Sequence, residues 1–499
     1  MFSKVFTLTL AFSLLFAALV LAEDQFIFPE TRPGEIAKGY IETFNSRDIE
    51  TLKKFNVDYW AEASLAKRSA DERAAQALKL YEQMGRLVPA LITNEGECSI
   101  AITVRAEKIN MWLSCVFQLE EGEPHKLVSV TIQPGSPPEM ATSDDKEWTT
   151  LSELLGQVIT DTGIPAIAAA VVEDGSIVEA VALGKRQVGT DDEVQIDDRF
   201  HIGSITKSIT ATMIGRLVEE SRLDWDITIA EVFSGMDVRA EYRNVTLMQL
   251  LRHRSGLPGY LTFTDSTAAR LLSLPGSPTE QRAAFVAEVL QSEPVAKAGE
   301  EMNYSNAGYV VAGLMAERAS GKTWTELIDH YVLTPAGMKN TGFGWPATET
   351  RSDQPRGHYY EESGFRAQGI DEYPFGDFIA PAGNINASIG DLALYAKMHL
   401  HGLAGHDGIV KAATIKQLHS PPESKTEGTG YAGGWMIVEK EGLGTVHKHS
   451  GSAGTFFATV ELYTDEKRAI VVAMNAGAGA GAAERIIHAI NERRKAGAR

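Results

Sequence analysis

The chain has 499 residues, enough for about three folding units or for one small and one large domain. Hydrophobic residues at 44% and charged residues at 23% are close to globular averages, which excludes wholesale disorder and fibrous repeats. The formal charge of −19 and the lack of a basic run argue against nucleic acid and anionic membrane surfaces as partners.

The first 22 residues have the pattern of an export signal. Met1 to Lys4 carry one positive charge, the run from Val5 to Ala22 is uncharged, and Val20-Leu21-Ala22 has the small-residue pattern of a cleavage site. We therefore expect residues 1–22 to be removed and the protein to be periplasmic or secreted. A retained anchor is the alternative, because the uncharged run reaches the length of a spanning helix. No second apolar run is that long.

Residues 23–133 predict a small α+β domain. Apolar residues recur at helical spacing from Pro33 to about Leu91, and alternating strands follow from Cys98 to Ile132. This order, together with the phrase from Ala37 to Asp48, resembles the cone-shaped domains of the nuclear-transport-factor-2-like group. The stretch 134–147, with three prolines and small polar residues, is predicted to be a linker.

The chain has two cysteines, Cys98 and Cys115, which cannot supply a thiolate metal cage or a catalytic Cys-x-x-Cys pair. The strand-like runs that contain them predict a hairpin, and a turn at Ala106-Glu107 would place Cys98 opposite Cys115. A turn one residue later shifts the pairing by two but keeps both cysteines on one face. A disulfide in an oxidising compartment and two buried thiols are both compatible with this pattern.

Residues 148–499 predict a sheet interrupted by a helical insertion. The predicted elements are helix 148–160, strands 166–172 and 176–183, a mainly helical region 204–400, strands 434–437, 445–449, 455–462 and 469–475, and helix 482–494. Asp174-Gly175 between the first two strands is a favoured hairpin turn. A sheet whose strands come from both ends of a segment implies an inserted helical domain, with a cleft at the junction.

The pattern Ser-x-x-Lys occurs at Ser64, Ser143 and Ser204, so the pattern alone does not identify a catalytic serine. Only Ser204 follows a predicted strand and a glycine and begins a helical run. In the first turn of a helix, free backbone N–H groups favour a developing oxyanion. Lys207 is three residues further on, on the same face and within reach of the Ser204 hydroxyl.

A serine hydroxyl needs a base, and an exposed lysine near pKa 10.4 is neutral in about one molecule in 2,500 at pH 7. Closing this gap of roughly 4.6 kcal/mol requires burial or nearby cations. The chain must therefore supply more than Ser204 and Lys207. Downstream, Tyr304-Ser305-Asn306 opens another helical run, and His449-Ser450-Gly451 ends a strand.

Four phrases, and a looser fifth, occur in a fixed order over roughly Trp148 to Ile490. They are FHIGSITKSIT from Phe200, LLRHRSGLPG from Leu250, the stretch YSNAGYVVAGLMAERASGKTW with its flanks from Asn303 to Met338, HKHSGSAGTF from His447, and PAGNINASIGDLALYAKM from Pro381. This set resembles the serine β-lactamase and penicillin-binding-protein superfamily, in its class C β-lactamase, DD-carboxypeptidase and esterase branch. The resemblance implies an α+β fold, a β-lactamase-like α/β sandwich with an antiparallel sheet flanked by helices and an inserted helical domain.

The resemblance also implies roles for single residues. Ser204 would be the acylated nucleophile and Lys207 its proton acceptor. Tyr304 would relay protons between the nucleophile and the leaving group, and Asn306 would hold the substrate amide or ester oxygen.

The strand after His447 would complete the site. His449 would orient Tyr304 and meet an anionic end of the substrate, and Ser450, Gly451 and Ser452 would line the substrate. The backbone N–H groups of Ser204 and Ser452 would form the oxyanion hole.

The sequence departs from the family pattern at three positions. His449 stands where relatives have either Lys or His, which argues against an efficient β-lactamase. Arg254 replaces a small residue in the His-x-Ser-Gly-Leu phrase, and Asn384 replaces the second glycine of the Pro381 phrase.

Other histidines allow different interpretations. His447 and His449 share one face of a strand, which is a two-histidine metal motif, but the sequence offers no third ligand nearby. A similar pair, His399 and His401, is expected to face solvent. His253 is interpreted as structural, holding a loop under the site. No metal or organic cofactor is expected.

We therefore expect an exported serine hydrolase that cleaves small ester or amide substrates through an acyl-enzyme on Ser204, of the esterase, D-amino-acid peptidase or carboxypeptidase type. The alternative from another class is a catalytically silent envelope protein that binds a partner or senses cell-wall fragments. A weak class C β-lactamase is the secondary alternative. The sequence leaves the oligomeric state and the role of the small domain open.

Overall fold

The computed structural model describes residues 26–108, 111–135, 137–138, 147–260, 270–361, 363–370, 372, 376–422, 430–440, 442–495 and 497. The predicted leader 1–22 and most of the predicted linker 134–147 lie outside these residues, as does the Ser143 motif. None of the helices in the described ranges combines the length and the apolarity needed to cross a membrane.

The small domain consists of helices followed by an antiparallel sheet, as predicted. Its elements are α1 Arg32–Ser46, α2 Ile49–Tyr59, α3 Glu62–Lys67, α4 Ala70–Met84, β1 Leu87–Gly96, β2 Ser99–Ala106, β3 Met111–Leu119 and β4 Leu127–Pro134. The four strands pair in chain order, and the helices cover them with their own apolar core.

The predicted helical region ends earlier than expected. Helix α4 begins at a capping box between Ser69 and Glu72 and ends at Gly85, whose φ of +77° suits glycine. Residues 87–91 then belong to strand β1, because they pair with β2. The spacing of the apolar residues in this stretch fits both the helical repeat and the alternation of a strand. The pairing with β2 decides in favour of the strand.

Both cysteines are free thiols, Cys98 half-buried and Cys115 buried. The prediction that a turn at Ala106-Glu107 sets them opposite each other is wrong, because Ala106 pairs with Met111 and Cys115 pairs with Ile102. Cys98 thus lies four positions from the partner of Cys115, roughly 13 Å along the strand. This separation is too large for a disulfide.

The large domain is built on a seven-stranded antiparallel sheet with the order β12-β13-β14-β15-β16-β5-β6. These strands are β5 Ala166–Glu173, β6 Ser176–Gly184, β12 Gly430–Tyr431, β13 Met436–Lys440, β14 Gly444–Ser452, β15 Phe457–Tyr463 and β16 Arg468–Met474. Strands from both ends of the domain are neighbours, as predicted. Asp174 and Gly175 have φ values of +46° and +76°, which fit the predicted hairpin turn.

Helices cover both faces of this sheet. On one face pack α5 Leu151–Thr162 and α17 Ala480–Lys495, and their apolar residues form one core cluster with β5 and β16. The other face carries the larger core cluster, which includes the stripe of Ile205, Ile209, Met213 and Leu217. The predicted α/β sandwich is confirmed.

The segment between β6 and β12 supplies the inserted helices. They are α6 Thr206–Glu219, α7 Ile229–Val232, α8 Ala240–Arg243, α9 Leu247–Leu251, α10 Pro278–Val289, α11 Asn306–Ser320, α12 Trp324–Ile328, α13 Thr334–Ala336, α14 Ala380–Gly383, α15 Ile389–Leu403 and α16 Ala412–Leu418. Two small sheets lie among them, with the orders β7-β11-β8 and β10-β9. Their strands are β7 Arg199–His201, β8 Thr341–Phe343, β9 His358–Glu361, β10 Gly364–Ala367 and β11 Ile385–Ser388.

Candidate active site

The Ser204 hydroxyl and the Lys207 amine are in direct contact. Ser204 lies in a short 3₁₀ turn, Gly203–Ile205, that continues into α6. Lys207 lies one turn later, and its Nζ is 2.9 Å from Ser204 Oγ. This is the arrangement that the Ser-x-x-Lys spacing predicts for a helix start.

The amine of Lys207 is removed from water. The residue is 0% exposed, and its Nζ donates a 2.7 Å hydrogen bond to the Ala382 carbonyl. Burial lowers the pKa of Lys207 well below 10.5, and no carboxylate of the described residues forms an ion pair with it. A neutral amine can donate to Ala382 and use its lone pair to accept the proton of Ser204.

Tyr304 is the third group at this point. Its side chain is close enough to Ser204 for the two hydroxyl groups to interact, and Lys207 Nζ lies 4.9 Å from the centre of its ring. Burial raises the pKa of Tyr304, so the phenol keeps its proton at neutral pH. The alcohol, the amine and the phenol therefore meet, although Ser204 and Tyr304 are 100 residues apart.

A loop from the LLRHRSGLPG phrase supports the Tyr304 segment. His253 Nδ1 accepts a 3.0 Å hydrogen bond from the backbone N–H of Ser305, and its ring lies 4.2 Å from the Tyr304 ring. Ser305 Oγ donates to the Pro258 carbonyl at 2.7 Å. Burial and the nearby Lys207 lower the pKa of His253 well below 6.5, so this histidine is neutral. These contacts fit the structural interpretation of His253.

Asn306 begins α11 next to this loop. Its Nδ2 donates a 2.8 Å hydrogen bond to the Tyr260 carbonyl. An amide nitrogen has two hydrogens, so one remains for a substrate oxygen.

Strand β14 packs closely against the turn that carries Ser204. A Cβ at Gly451 would lie 2.0 Å from the Ile202 carbonyl oxygen and 2.5 Å from Ser204 N. A Cβ at Gly203, which has a φ of +49°, would lie 2.6 Å from Ser452 N. Two glycines thus let the backbone amides of Ser204 and Ser452 approach each other, as an oxyanion hole requires.

The side chains of β14 differ in where they point. His449 is buried, whereas Ser450 is exposed and its hydroxyl lies 2.9 Å from Thr459 Oγ1 on the next strand. Alternate residues of a strand face opposite sides, so the Ser450 hydroxyl points away from the side that His449 faces. Ser452 Oγ accepts a 3.1 Å bond from Gly454 N.

His449 contacts a residue that the sequence analysis missed. Its Nε2 lies 2.8 Å from the hydroxyl of Tyr431, and its Nδ1 lies 2.8 Å from the Ser450 carbonyl. The hydrogen bond of the His449 side chain thus goes to Tyr431, whose ring centre is 6.0 Å from that of Tyr304. Burial, with Lys207 nearby, lowers the pKa of His449 to about 3. The only sequence signal for Tyr431 is its position just before the sequence Gly433-Gly434-Trp435, where the predicted strand 434–437 begins.

The expectation that His399 and His401 both face solvent is wrong for His399. His401 is exposed, but His399 is 0% exposed, and its Nδ1 lies 2.9 Å from Nε2 of His419. The Nδ1 of His419 lies in turn 2.9 Å from Nδ1 of His447. Positions two apart on helix α15 point to different sides, which buries only one of the pair. No group of three metal-ligating side chains suited to an ion occurs among the described residues.

Comparison with known proteins assigns the family. The family model described as Beta-lactamase matches residues 151–494, which is more than half of the chain. The chain belongs to the Beta-lactamase family. This family contains serine hydrolases related to penicillin-binding proteins.

Curated relatives support the same assignment. Penicillin-binding protein 4 of Amycolatopsis lactamdurans is 27% identical over 332 residues, which are 63% of this chain and 81% of that protein. Protein flp of Staphylococcus aureus strain MW2 is 24% identical over 324 residues, which are 62% of this chain and 60% of that protein.

Solved structures share the fold. The octameric penicillin-binding protein homologue from Pyrococcus abyssi is 28% identical with a TM-score of 0.59, and the match covers 69% of this chain and 77% of that one. A D-stereospecific amidohydrolase from Streptomyces sp. is 20% identical with a TM-score of 0.55, covering 69% of this chain and 98% of that one, which is evidence for the fold alone.

Proposed function

We propose that this protein is a serine hydrolase that cleaves small esters or amides through an acyl-enzyme on Ser204. The observation that carries the proposal is the 2.9 Å contact between Ser204 Oγ and the buried amine of Lys207. Family membership supports hydrolysis as the reaction class. The substrate class is that of esterases, D-amino-acid peptidases and carboxypeptidases, and the fold shared with the D-stereospecific amidohydrolase of Streptomyces is compatible with the D-amino-acid option.

The acylation step follows from the proton positions. Neutral Lys207 takes the proton of the Ser204 hydroxyl while Oγ bonds to the substrate carbonyl carbon, and the oxyanion forms between the N–H groups of Ser204 and Ser452. Tyr304 donates its proton to the leaving alcohol or amine as the old bond breaks, and the proton on Lys207 restores the phenol. Water then releases the acid in the reverse sequence of proton transfers.

A fluorophosphonate probe with peptide mapping tests the nucleophile. We expect labelling of Ser204 in the wild-type protein and none in Ser204→Ala, whereas Ser64→Ala, in the other described Ser-x-x-Lys sequence, should label normally. Labelling that survives Ser204→Ala contradicts the assignment. Export of the protein is part of the proposal and rests on the sequence of residues 1–22.

A substrate panel separates the remaining alternatives. We expect turnover of p-nitrophenyl acetate or butyrate, or of D-alanyl peptides, and little hydrolysis of nitrocefin, because His449 stands where many relatives have Lys. Efficient nitrocefin hydrolysis would support the β-lactamase alternative. A complete lack of labelling and turnover would support the silent envelope protein.

A further inference from the structure

Two buried side chains of helix α6 bond to consecutive carbonyl groups of one segment. Thr210 Oγ1 donates a 2.8 Å hydrogen bond to the Pro381 carbonyl, and Lys207 Nζ donates a 2.7 Å bond to the carbonyl of the next residue, Ala382. Thr210 and Lys207 are three residues apart, so they lie on the same face of the helix, and both are 0% exposed. The Thr210 hydroxyl thus holds the backbone directly beside the carbonyl that Lys207 contacts.

Trp324 fixes the direction of the Thr210 hydroxyl. Its Nε1 lies 3.1 Å from Thr210 Oγ1, and an indole N–H can only donate a hydrogen bond. Thr210 Oγ1 accepts this bond, and its own hydrogen points to Pro381. Trp324 is 0% exposed and begins α12, where its backbone N–H donates a 2.7 Å bond to Oε1 of the buried Glu317. A chain of donors therefore runs from Trp324 through Thr210 to the segment that contacts Lys207.

The Thr210 hydroxyl serves two buried groups at once. Without it, the Trp324 indole N–H and the Pro381 carbonyl would both lose this partner. Because an unmet buried donor or acceptor is strongly unfavourable, the short helix α14, which contains both carbonyls, would shift toward other partners. The Ala382 carbonyl would move with it.

The Ala382 carbonyl sets the orientation of the Lys207 amine. A neutral amine has two hydrogens and one lone pair, and rotation about the Cε–Nζ bond exchanges their positions. Because one N–H is held by Ala382, the lone pair remains available to Ser204 Oγ, 2.9 Å from Nζ. An amine that loses this carbonyl can turn an N–H toward Ser204, and it cannot take a proton in that orientation.

We propose that Thr210 and Trp324 are positioning residues for the Lys207 base. This role rests on the proposed function, in which Lys207 takes the proton of Ser204. The two side chains act through the Ala382 carbonyl and not by contact with the substrate. They keep this carbonyl where the amine donates to it, so that the lone pair faces Ser204.

The labelling rate of Ser204 with a fluorophosphonate tests this role. Thr210→Val keeps the shape of the side chain but removes the hydroxyl, and we expect it to lower the rate about tenfold, a part of the roughly hundredfold or larger contribution of a positioned base. Thr210→Ser, which keeps the hydroxyl, should react like the wild type. Thr212→Val is the matched control, since it removes another buried hydroxyl of α6, one that bonds to the Ser208 carbonyl at 2.8 Å. An equal rate in Thr210→Val and the wild type, or an equal loss in Thr212→Val, overturns the proposal.

The pH profile of labelling separates positioning from a general loss of structure. A carbonyl accepts a stronger hydrogen bond from an ammonium group than from a neutral amine, so weakening the bond to Ala382 lowers the pKa of Lys207. The midpoint of the profile should therefore lie at lower pH in Thr210→Val and return in Thr210→Ser. An unchanged midpoint would indicate a merely structural threonine and overturn the proposal. The titratable groups around Lys207, which are the same in all these variants, are Tyr304, Tyr309, His253 and His449.

NMR spectroscopy of the lysine ¹³Cε groups measures the same midpoint without any reaction. The Lys207 signal is the one that disappears in Lys207→Met. If the wild type is not labelled, the proposed function fails, yet the midpoint of Lys207 in Thr210→Val still decides whether Thr210 positions the amine. If Thr210→Val does not fold, Trp324→Phe, which keeps an aromatic ring but removes the N–H, replaces it. A lower midpoint is then expected, and an unchanged one contradicts the proposal.

Discussion

His449 accepts a hydrogen bond from Tyr431. The Nδ1 of His449 lies 2.8 Å from the Ser450 carbonyl, which can only accept, so the proton of the neutral imidazole is on Nδ1. Nε2 is then the acceptor, and the Tyr431 hydroxyl at 2.8 Å is its donor. Tyr431 thereby fixes both the tautomer and the orientation of a ring that is close enough to Lys207 to be affected by its charge.

Removing this hydroxyl should slow the reaction without dismantling the site. We expect Tyr431→Phe to lower kcat/KM for a p-nitrophenyl ester about tenfold, the value of one hydrogen bond of about 1.4 kcal/mol. Tyr359→Phe, on β9 and outside this network, is the control and should be unaffected. An unchanged kcat/KM in Tyr431→Phe would show that the phenol does not position His449.

The pH dependence of activity should follow Lys207. Because burial lowers its pKa, the free amine that accepts the Ser204 proton forms at a lower pH than in an exposed lysine. The rate of Ser204 acylation should rise with pH and level off well below pH 10.5. Lys207→Met should lose at least about a hundredfold in acylation rate. A pH profile that still rises at the pKa of free lysine contradicts the buried base.

Stability should depend on pH through the same residue. Between the lowered folded pKa and the unfolded value of 10.5, the unfolded chain binds one proton more than the folded chain, so stability rises with pH in this window. Lys207→Met should remove this slope and be at least as stable as the wild type at pH 7, because the buried methionine has no proton to give up on folding. Urea unfolding at neutral and alkaline pH measures both the pH dependence of stability and the stability at pH 7. The control is Lys339→Met, at an exposed position. A Lys207→Met variant that unfolds outright would indicate a structural lysine.

Gly451 should tolerate no side chain. A methyl group there would collide with the Ile202 carbonyl oxygen and Ser204 N, so the turn that carries Ser204 would have to move. We expect Gly451→Ala to lose at least about a hundredfold in kcat, as when one oxyanion donor is lost. Gly390→Ala, whose nearest neighbour is 4.0 Å away, should behave like the wild type. Equal rates in the two variants would mean that β14 does not set the position of Ser204.

Acid should destabilise the protein through its buried histidines. Burial lowers the pKa values of His399 and His449 to about 3 and of His358 and His447 to about 4, from 6.5. Below pH 6.5 these histidines become protonated in the unfolded chain but stay neutral in the folded chain. The free energy of unfolding therefore falls as the pH falls from 6.5 towards 3–4. Scanning calorimetry should show Tm decreasing across this window, and a flat Tm from pH 6.5 to 4.5 would contradict the neutral, buried state.

Local patterns in the sequence determined the elements that carry the site. The spacing of Ser204 and Lys207, the apolar stripe of α6 and the Asp174-Gly175 turn involve neighbours along the chain, so backbone geometry alone relates them. For that reason the strands on both sides of the helical insertion could be predicted from local patterns, whereas the α/β sandwich that they form was expected from the family resemblance.

Only the tertiary structure decided the chemistry of these groups. The lowered pKa of Lys207 depends on burial against distant segments, one of which supplies the Ala382 carbonyl 175 residues away. The partner of His449 is set by the pairing of β12 with β13 and of β13 with β14. The same holds for the hairpin register that separates Cys98 from Cys115 and for the burial of His399. Burial and strand register arise from contacts between distant segments, which no local periodicity encodes.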